Sequence, residues 1–434
     1  MANQVSERRR LALIFTLYFL LGIGYSLLMP IWEAPDEPAH YHLAWRLARK
    51  GEYATEHQNY EAGQPRTFYY LGSYVIRALD QIDPAYSSYI LPREYKFNIR
   101  VPERRFDWND GNYRFLPGVY ALRWINLVFG ALALWLGWKA FGLIVPTQPA
   151  LRLSALALAA LTPQYLHIMS SVNNDAVGTL AGAFLFYLGV RIVKERNNLI
   201  AVLSIILALV LPLITKLTVL PVSAALLAIV AGTWFFGLRQ KPWLILAVLV
   251  FLASMGILYF LFPEALEWTQ KEIIWRLFSL REKGVDFEYI KTITSQIIWT
   301  YWGRVGWLAV GLSWWVVDML TAFAGFGIAA QIYTLIKAGK SHPQMKYWGA
   351  TVLFALFTVL AVARNGLTTG ATQGRFLFPA IGALSLLMIS GWYDRLPEKF
   401  QRSLPLISIL MMVTLTLGLW IFGIIPVYYQ PFFD

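Results

Sequence analysis

The sequence has no cysteine and little charge, and each absence excludes a class of protein. Without cysteine there is no disulfide framework, no thiolate metal site and no cysteine nucleophile. Only 14% of the 434 residues are Asp, Glu, Lys or Arg, whereas a soluble chain carries about 25% because water must wet its surface. Hydrophobic residues make up 57%. The composition therefore excludes an ordinary soluble protein and predicts a membrane protein.

Two nucleotide-binding motifs are also missing. There is no phosphate-binding glycine-rich loop with lysine and no dinucleotide-binding fingerprint, which disfavours a nucleotide-sugar substrate. The net charge of +12 is compatible with nucleic-acid binding. The basic residues are concentrated in the connections on one side of the predicted membrane spans, however, so they indicate membrane topology and no nucleic-acid partner is expected.

Eleven apolar runs approach or reach the roughly 17–25 residues that a membrane-spanning helix needs. They cover residues 11–28, 118–145, 151–169, 176–194, 199–214, 217–238, 242–262, 307–336, 347–363, 377–392 and 404–425. The boundary near residue 215 is the least distinct, so residues 199–238 could form one span or two. We predict an all-α polytopic membrane protein, with residues 1–434 forming a single integral membrane domain.

The basic residues predict the orientation of these spans. With a cytoplasmic N-terminus, sixteen basic residues fall on the inner side and only three in the short outer connections. The positive-inside rule favours this orientation, which leaves the C-terminus extracytoplasmic. The first run is interpreted as a retained signal anchor, because no small-residue cleavage pattern follows it.

Two long segments, residues 31–117 and residues 263–306, are then extracytoplasmic. The first is rich in aromatic residues and is not of low complexity. Loops of this length are usually functional or disordered. We expect residues 31–117 to be ordered, with amphipathic helices that lie at the membrane surface.

An acidic motif follows the first span directly. Residues 33–42 read EAPDEPAHYH, and Asp36 and His40 are one helical turn apart on the same face. Together with Glu37 they could supply a general base, a metal site or both. A carboxylate desolvated at a membrane surface is expected to have a raised pKa. The alternative is structural: Asp36 caps a short helix beside a wet loop.

This motif resembles the first-loop acidic motif of membrane glycosyltransferases of the GT-C superfamily. It is similar in particular to a little-characterised bacterial family of multi-pass membrane proteins with PDEPAH in the first loop. Further stretches agree in their order along the chain. They are QPRTFYY at 64–70, LRWIN at 122–126, TPQY at 162–165, NND at 173–175, TKLT at 215–218, WTYWGRVGW at 299–307 and QGRFLFP at 373–379.

The resemblance implies a GT-C-like arrangement of about eleven transmembrane helices in the bacterial inner membrane. The implied reaction moves a sugar from a polyprenyl-phosphate donor to a lipid or glycan acceptor on the extracytoplasmic face. The first acidic residue, Asp36, would be the general base of an inverting transfer. Glu37 would orient the acceptor or a metal ion, and His40 would contact substrate.

The leaving group of such a reaction is a lipid phosphate, which requires cations near the outer boundary. The candidates are Arg123, Lys216, Arg304 and Arg375, because basic side chains at a membrane boundary are costly unless paired or functional. The alternative is that they snorkel to the surface. Trp299, Trp302 and Trp307 cluster beside Arg304 and could stack on a sugar or line a lipid groove.

Asp175 lies in a very short outer turn and has three interpretations. It could cap the fourth span, bind sugar hydroxyls, or act as a second metal carboxylate. A divalent cation, Mg²⁺ or Mn²⁺, is thus a candidate cofactor, with Asp36 and Asp175 as its candidate ligands.

Two rival functions share this architecture. A lipid or glycan transporter, such as a flippase, is disfavoured because transporters commonly show repeated halves and helices broken near the midplane, which the sequence does not indicate. A polysaccharide polymerase or ligase differs from a glycosyltransferase mainly in the glycan that is moved.

Overall fold

The structure is a computed structural model that describes residues 2–89, 116–195, 197–235, 286–370 and 372–429, and these ranges are almost entirely helical. In chain order the helices are α1 Ala2–Leu28, α2 Glu37–Lys50, α3 Thr67–Asp80, α4 Pro117–Ile144, α5 Pro149–Leu161, α6 Pro163–Met169, α7 Asp175–Glu195, α8 Asn198–Ile214, α9 Leu220–Phe235, α10 Phe287–Trp302, α11 Trp314–Ala338, α12 Met345–Thr369, α13 Ile381–Tyr393, α14 Glu398–Leu419 and α15 Ile425–Tyr429. Short 3-10 helices cover Pro84–Ser87, Leu217–Val219, Gly339–Ser341 and Gly374–Ala380, and a π-helical turn covers Trp420–Ile424. Two strands, β1 Arg304–Val305 and β2 Val310–Gly311, form an antiparallel pair.

Within the described ranges, seven helical segments are long and apolar enough to cross a membrane. They are Ser6–Leu28, Pro117–Ile144, Asp175–Glu195, Trp314–Ser341, Met345–Thr369, Gly374–Tyr393 and Glu398–Tyr429. Shorter apolar helices at Pro149–Leu161, Asn198–Ile214 and Leu217–Thr233 accompany them. Ten of the eleven predicted runs therefore fall on helices, and the run 242–262 lies outside the described residues. The chain is a multi-pass, all-α membrane protein.

Two predicted spans differ from the structure in detail, and the boundary predicted near residue 215 is present. The run 151–169 forms two helices, because the backbone of Thr162 is extended (ψ 124°) before Pro163 starts α6. The boundary near residue 215 is a true break between α8 and α9. The run 307–336 begins as a helix only at Trp314, since the preceding residues turn back as the β1–β2 pair.

Three helices lie at the centre of the bundle. All seven residues of α6 are buried, as are most residues of α5 and of α13. α5 packs against α13 and α14, and α4 packs against α7.

The first loop has its own apolar cluster. α2 and α3 pack against each other, and their buried residues contact the start of α4 through Leu116, Val119 and Leu122. The opposite face of α3 is exposed, whereas that of α2 is partly buried except at its last two residues. This confirms the prediction of amphipathic helices in the first loop, and it fixes the acidic motif at one end of the bundle.

α11 and α13 approach each other at two glycines. A Cβ atom on Gly391 would overlap the carbonyl oxygen of Gly327, and one on Gly327 would overlap the carbonyl of Met388. Membrane helices associate closely through such small residues, because lipid supplies no hydrophobic driving force between them.

We therefore expect Gly391→Val to destabilise the bundle by about 2 kcal/mol, since overpacking forces the helices apart. Thermal unfolding in detergent measures the loss. The matched control is Gly325→Val on α11, where a Cβ would meet open space. Equal stability of the two variants would contradict a tight α11–α13 contact.

Candidate active site

Asp36 stands at the start of α2 but does not cap it. Its backbone is left-handed (φ 62°), and its side chain makes no capping hydrogen bond. The carboxylate instead accepts hydrogen bonds from Arg375 Nη2 at 2.7 Å and from the Tyr60 hydroxyl at 3.1 Å. The capping interpretation is therefore wrong for this side chain, which is turned toward other charged groups.

Asp36 belongs to a chain of alternating charges. Arg375 pairs with Asp36 and, through Nη1, lies 3.4 Å from Asp175 Oδ2. Asp175 Oδ1 in turn accepts from Lys216 Nζ at 2.6 Å. These side chains come from α2, α7, the α8–α9 junction and the 3-10 helix before α13. Four of the predicted site residues thus meet, although they are far apart in the chain.

Asp175 does not cap α7 either, because its neighbour performs that function. The Asn173 side-chain oxygen accepts from the backbone N–H groups of Asp175 and Ala176 at 2.9 and 3.3 Å. Asn174 Oδ1 also accepts from Lys216 Nζ at 2.7 Å. The carboxylate of Asp175 is consequently available to hold the two cations.

Two further titratable groups adjoin Asp36. Ligand atoms of Asp36, His40 and Glu61 all lie within 4.8 Å of one another. His40 is buried, and its Nδ1 lies 2.8 Å from the Tyr69 hydroxyl. The sequence interpretation included His40 but missed Glu61, which is one of several acidic residues in the first loop and belongs to no periodic pattern.

The surroundings shift the pKa values of these groups in different directions. Burial raises the pKa of Asp36, but the charges and hydrogen bonds of its neighbours, Arg375 above all, outweigh it and leave the pKa below its ordinary value. The expectation of a raised pKa was wrong because it ignored this partner. Burial lowers the pKa of His40 to about 3. Burial and the Asp36 charge raise the pKa of Glu61 to about 7.

The raised pKa of Glu61 predicts a pH-dependent cost to the fold. The native state holds the Glu61 proton up to about pH 7, whereas the unfolded chain releases it near its ordinary pKa of about 4.3. Stability is therefore lost as pH rises between these values. We expect Glu61→Gln to stabilise the cation-free protein by about 2 kcal/mol at pH 8 and to change little at pH 4.

Thermal unfolding at the two pH values, with a chelator present, measures this difference. Glu56→Gln is the matched control, because Glu56 is exposed in the same loop. An equal effect of Glu61→Gln at pH 4 and pH 8 would contradict a carboxyl that ionises within the site.

Glu37 and Arg123 form a separate, fully buried pair. Arg123 Nε and Nη2 donate to the two Glu37 carboxylate oxygens at 2.8 and 2.6 Å. Its remaining donors reach the carbonyls of Ser26, Met29 and Pro30. All five N–H groups of the guanidinium are thus engaged. We therefore expect the pair to have a structural function, and the phosphate contact of Arg123 and the catalytic contact of Glu37 stay predictions.

A cavity of about 520 Å³ opens beside the charged chain. Its wall includes Asp36, Arg375, Gln296, Trp307 and Leu308. The Asp36 side chain is 19% exposed, more than the 6% of Arg375, so the carboxylate is the better-exposed partner of this pair. A small molecule that enters the cavity would meet it.

Backbone strain is concentrated around this cavity. Among the described residues, only Trp32, Asp36 and Leu308 have a left-handed φ without being glycine. Asp36 and Leu308 line the cavity, and the Trp32 carbonyl accepts from the Trp307 indole N–H at 3.0 Å. Strained non-glycine residues cluster at ligand sites, where the surrounding structure holds them in place.

Arg304 lies outside the charged chain, in β1. Its guanidinium stands 5.1 Å over the Trp299 ring, and its Nε donates to the Leu308 carbonyl at 2.7 Å. Of the three clustered tryptophans, Trp302 is buried in the core, whereas Trp307 lines the cavity beside Asp36 and Trp299 lines a neighbouring one. Arg304 lines the same neighbouring cavity as Trp299 and so lies beside the site.

The residues near Asp36 fit a divalent cation. One imidazole and two carboxylates within 4.8 Å are a ligand set that suits Zn²⁺ or Mn²⁺ better than Mg²⁺, which prefers oxygen ligands. Asp175 does not belong to this group, and its carboxylate pairs with Lys216 and Arg375. The candidate metal ligands are thus Asp36, His40 and Glu61, in place of the predicted pair Asp36 and Asp175.

Comparison with known proteins defines the fold. No protein-family model and no curated protein sequence matches the chain. Among solved structures, ArnT from Cupriavidus metallidurans bound to undecaprenyl phosphate matches with a TM-score of 0.54 and 12% identity over 96% of this chain and 73% of that chain. The apo form of the same protein gives a TM-score of 0.51 and 12% identity over 98% and 74%. The chain therefore has a fold similar to that of ArnT.

Proposed function

We propose that the protein is a membrane glycosyltransferase that moves a sugar from a polyprenyl-phosphate donor to an acceptor hydroxyl. The observation that carries the proposal is the position of Asp36, an ionised carboxylate held by Arg375 on the wall of a cavity in a GT-C fold. ArnT, which shares this fold, binds undecaprenyl phosphate. The predicted topology would place the cavity on the extracytoplasmic face of the inner membrane.

Asp36 would act as the general base. As the acceptor oxygen attacks the anomeric carbon, the new carbon–oxygen bond forms and the bond from that carbon to the phosphate oxygen breaks. The hydroxyl proton passes to the Asp36 carboxylate, and the lipid phosphate leaves with the electron pair. The hydroxyl of the attacking oxygen becomes strongly acidic as the new carbon–oxygen bond forms, so a base with a lowered pKa is sufficient. Direct attack inverts the anomeric centre.

The neighbouring charges keep the Asp36 carboxylate ionised and in position. Arg375 holds one carboxylate oxygen of Asp36 and leaves the group ionised at neutral pH. Asp175 and Lys216 fix the position of Arg375 in turn. A divalent cation on Asp36, His40 and Glu61 would supply further positive charge for a bound hydroxyl or phosphate.

The test is a transfer assay in proteoliposomes. Labelled polyprenyl-phosphate sugars and the corresponding nucleotide sugars are supplied separately, with a cell-envelope glycolipid extract as acceptor. We expect release of polyprenyl phosphate and a labelled glycolipid only from the lipid-linked donor. Movement of intact donor across sealed vesicles, without release of its phosphate, would identify a transporter instead. Extension of a long glycan would indicate a polymerase or ligase.

A further inference from the structure

A second cavity adjoins the first. It has a volume of about 430 Å³, and Gln296 and Leu308 line both cavities. Its other walls include Lys291, Trp299 and Arg304. The two spaces are therefore neighbours that share part of their lining. Asp36 and Arg375 line the first cavity, and the cations Lys291 and Arg304 line the second.

The contact between Asp36 and Arg375 restricts where a leaving phosphate can bind. In an inverting displacement the base and the leaving group lie on opposite faces of the sugar ring. The Asp36 carboxylate is only 2.7 Å from Arg375 Nη2, so a phosphate on Arg375 would lie on the same side as the base. The cations that receive the leaving phosphate must therefore lie across the cavity from this pair.

We propose that the phosphate of the lipid carrier binds in the second cavity, on Lys291 and Arg304, and that Arg375 is a positioning residue for Asp36. This inference rests on the proposed glycosyltransferase function. The transferred sugar would then occupy the shared region at Gln296 and Leu308, between the base and the leaving phosphate.

The chemistry of the second cavity suits a sugar phosphate. The Arg304 guanidinium is oriented by its contacts with Trp299 and the Leu308 carbonyl, and its planar fork matches phosphate oxygens. Lys291 is exposed and lies 3.6 Å from Glu288 in a solvent-accessible pair, so it can turn to an anion at little cost. The side-chain amide of Gln296 can bond a sugar hydroxyl.

The roles of the groups follow from the reaction. As the bond between the anomeric carbon and the phosphate oxygen breaks, the leaving phosphate gains negative charge. Arg304, which its contacts orient, and Lys291, which can turn toward the anion, stabilise that charge where it develops. Across the sugar, Arg375 keeps Asp36 aligned for the acceptor proton without contacting the phosphate.

Equilibrium binding in nanodiscs tests this assignment. The probes are undecaprenyl phosphate, the uncharged undecaprenol and inorganic phosphate, and the variants are Lys291→Gln, Arg304→Lys and Arg375→Gln. The control is Arg402→Gln, which removes an exposed cation paired with Glu398 on α14. We expect the first two variants to weaken binding of the lipid phosphate about tenfold each, without changing binding of undecaprenol.

Arg375→Gln and the control Arg402→Gln should both leave that affinity within about twofold. Arg375→Gln should nevertheless lower kcat, whereas the control should not. Weaker binding in Arg375→Gln, with unchanged binding in Lys291→Gln and Arg304→Lys, would overturn the assignment but keep the proposed function. Equal binding of undecaprenyl phosphate and undecaprenol by the wild-type protein would contradict the proposed function itself, because that function requires a donor recognised through its phosphate. If inorganic phosphate displaced undecaprenyl phosphate but undecaprenol did not, the site would recognise the phosphate group and not the lipid chain, which would support a phosphate site on Lys291 and Arg304.

Discussion

Asp36→Asn is expected to lower sugar transfer about a thousandfold, because a positioned general base contributes roughly 10²–10⁴ to the rate. The amide has nearly the same shape as the carboxylate and can still accept one hydrogen bond from Arg375 or Tyr60. It cannot accept the acceptor's proton as the carbon–oxygen bond forms. The loss should therefore appear in kcat, with little change in the affinity for the donor.

The measurement compares kcat and KM for the lipid-linked donor in purified wild-type and variant protein. Asp83→Asn is the matched control: it makes the same substitution in the first loop, where Asp83 caps a 3-10 helix through Ala85 N–H and asparagine caps equally well. Thermal unfolding shows whether Asp36→Asn is folded. A folded variant that retains more than about a tenth of the wild-type kcat would remove Asp36 from the role of base.

Most residues of the candidate site could be predicted from their positions, but Glu61 and the pairing of the charged residues could not. Lys216 and Arg375 stand out in the sequence because a basic residue at a membrane boundary is costly, and Asp36 stands out because it belongs to an acidic motif directly after the first span. Nothing in their spacing shows that Arg375 contacts a carboxylate 339 positions earlier. That contact reverses the direction of the expected pKa shift, so the electrostatics of the site depend on tertiary structure.

Two local features also escaped the sequence interpretation for physical reasons. The residues around Gly306 read as the start of an apolar span, yet they fold back as β1 and β2, because hydropathy does not distinguish a buried hairpin from a helix end. Glu61 has no apolar pattern around it, and only the fold brings it within reach of His40. The membrane helices were predictable since length and apolarity alone define them.

Arg123→Met is expected to destabilise the protein by about 3–5 kcal/mol, because it leaves the Glu37 carboxylate buried without its countercharge. Glu37 would keep only the backbone N–H groups of Trp32 and Val172, at 3.0 Å each. The carbonyls of Ser26 and Met29 would also lose their donor. The segment that these contacts hold leads directly to Asp36, so activity should fall together with stability.

A double-variant cycle separates the charge pair from the rest of the network. Replacing both Arg123 and Glu37 removes the isolated charge, so Glu37→Gln combined with Arg123→Met should recover part of the lost stability. Recovery should be incomplete, since the backbone carbonyls near Met29 remain unpaired. Arg191→Met, which breaks an exposed pair with Glu195 on α7, should cause no measurable loss of stability. If Arg123→Met were as stable as that control but lost binding of undecaprenyl phosphate, Arg123 would be a phosphate ligand and not a structural residue.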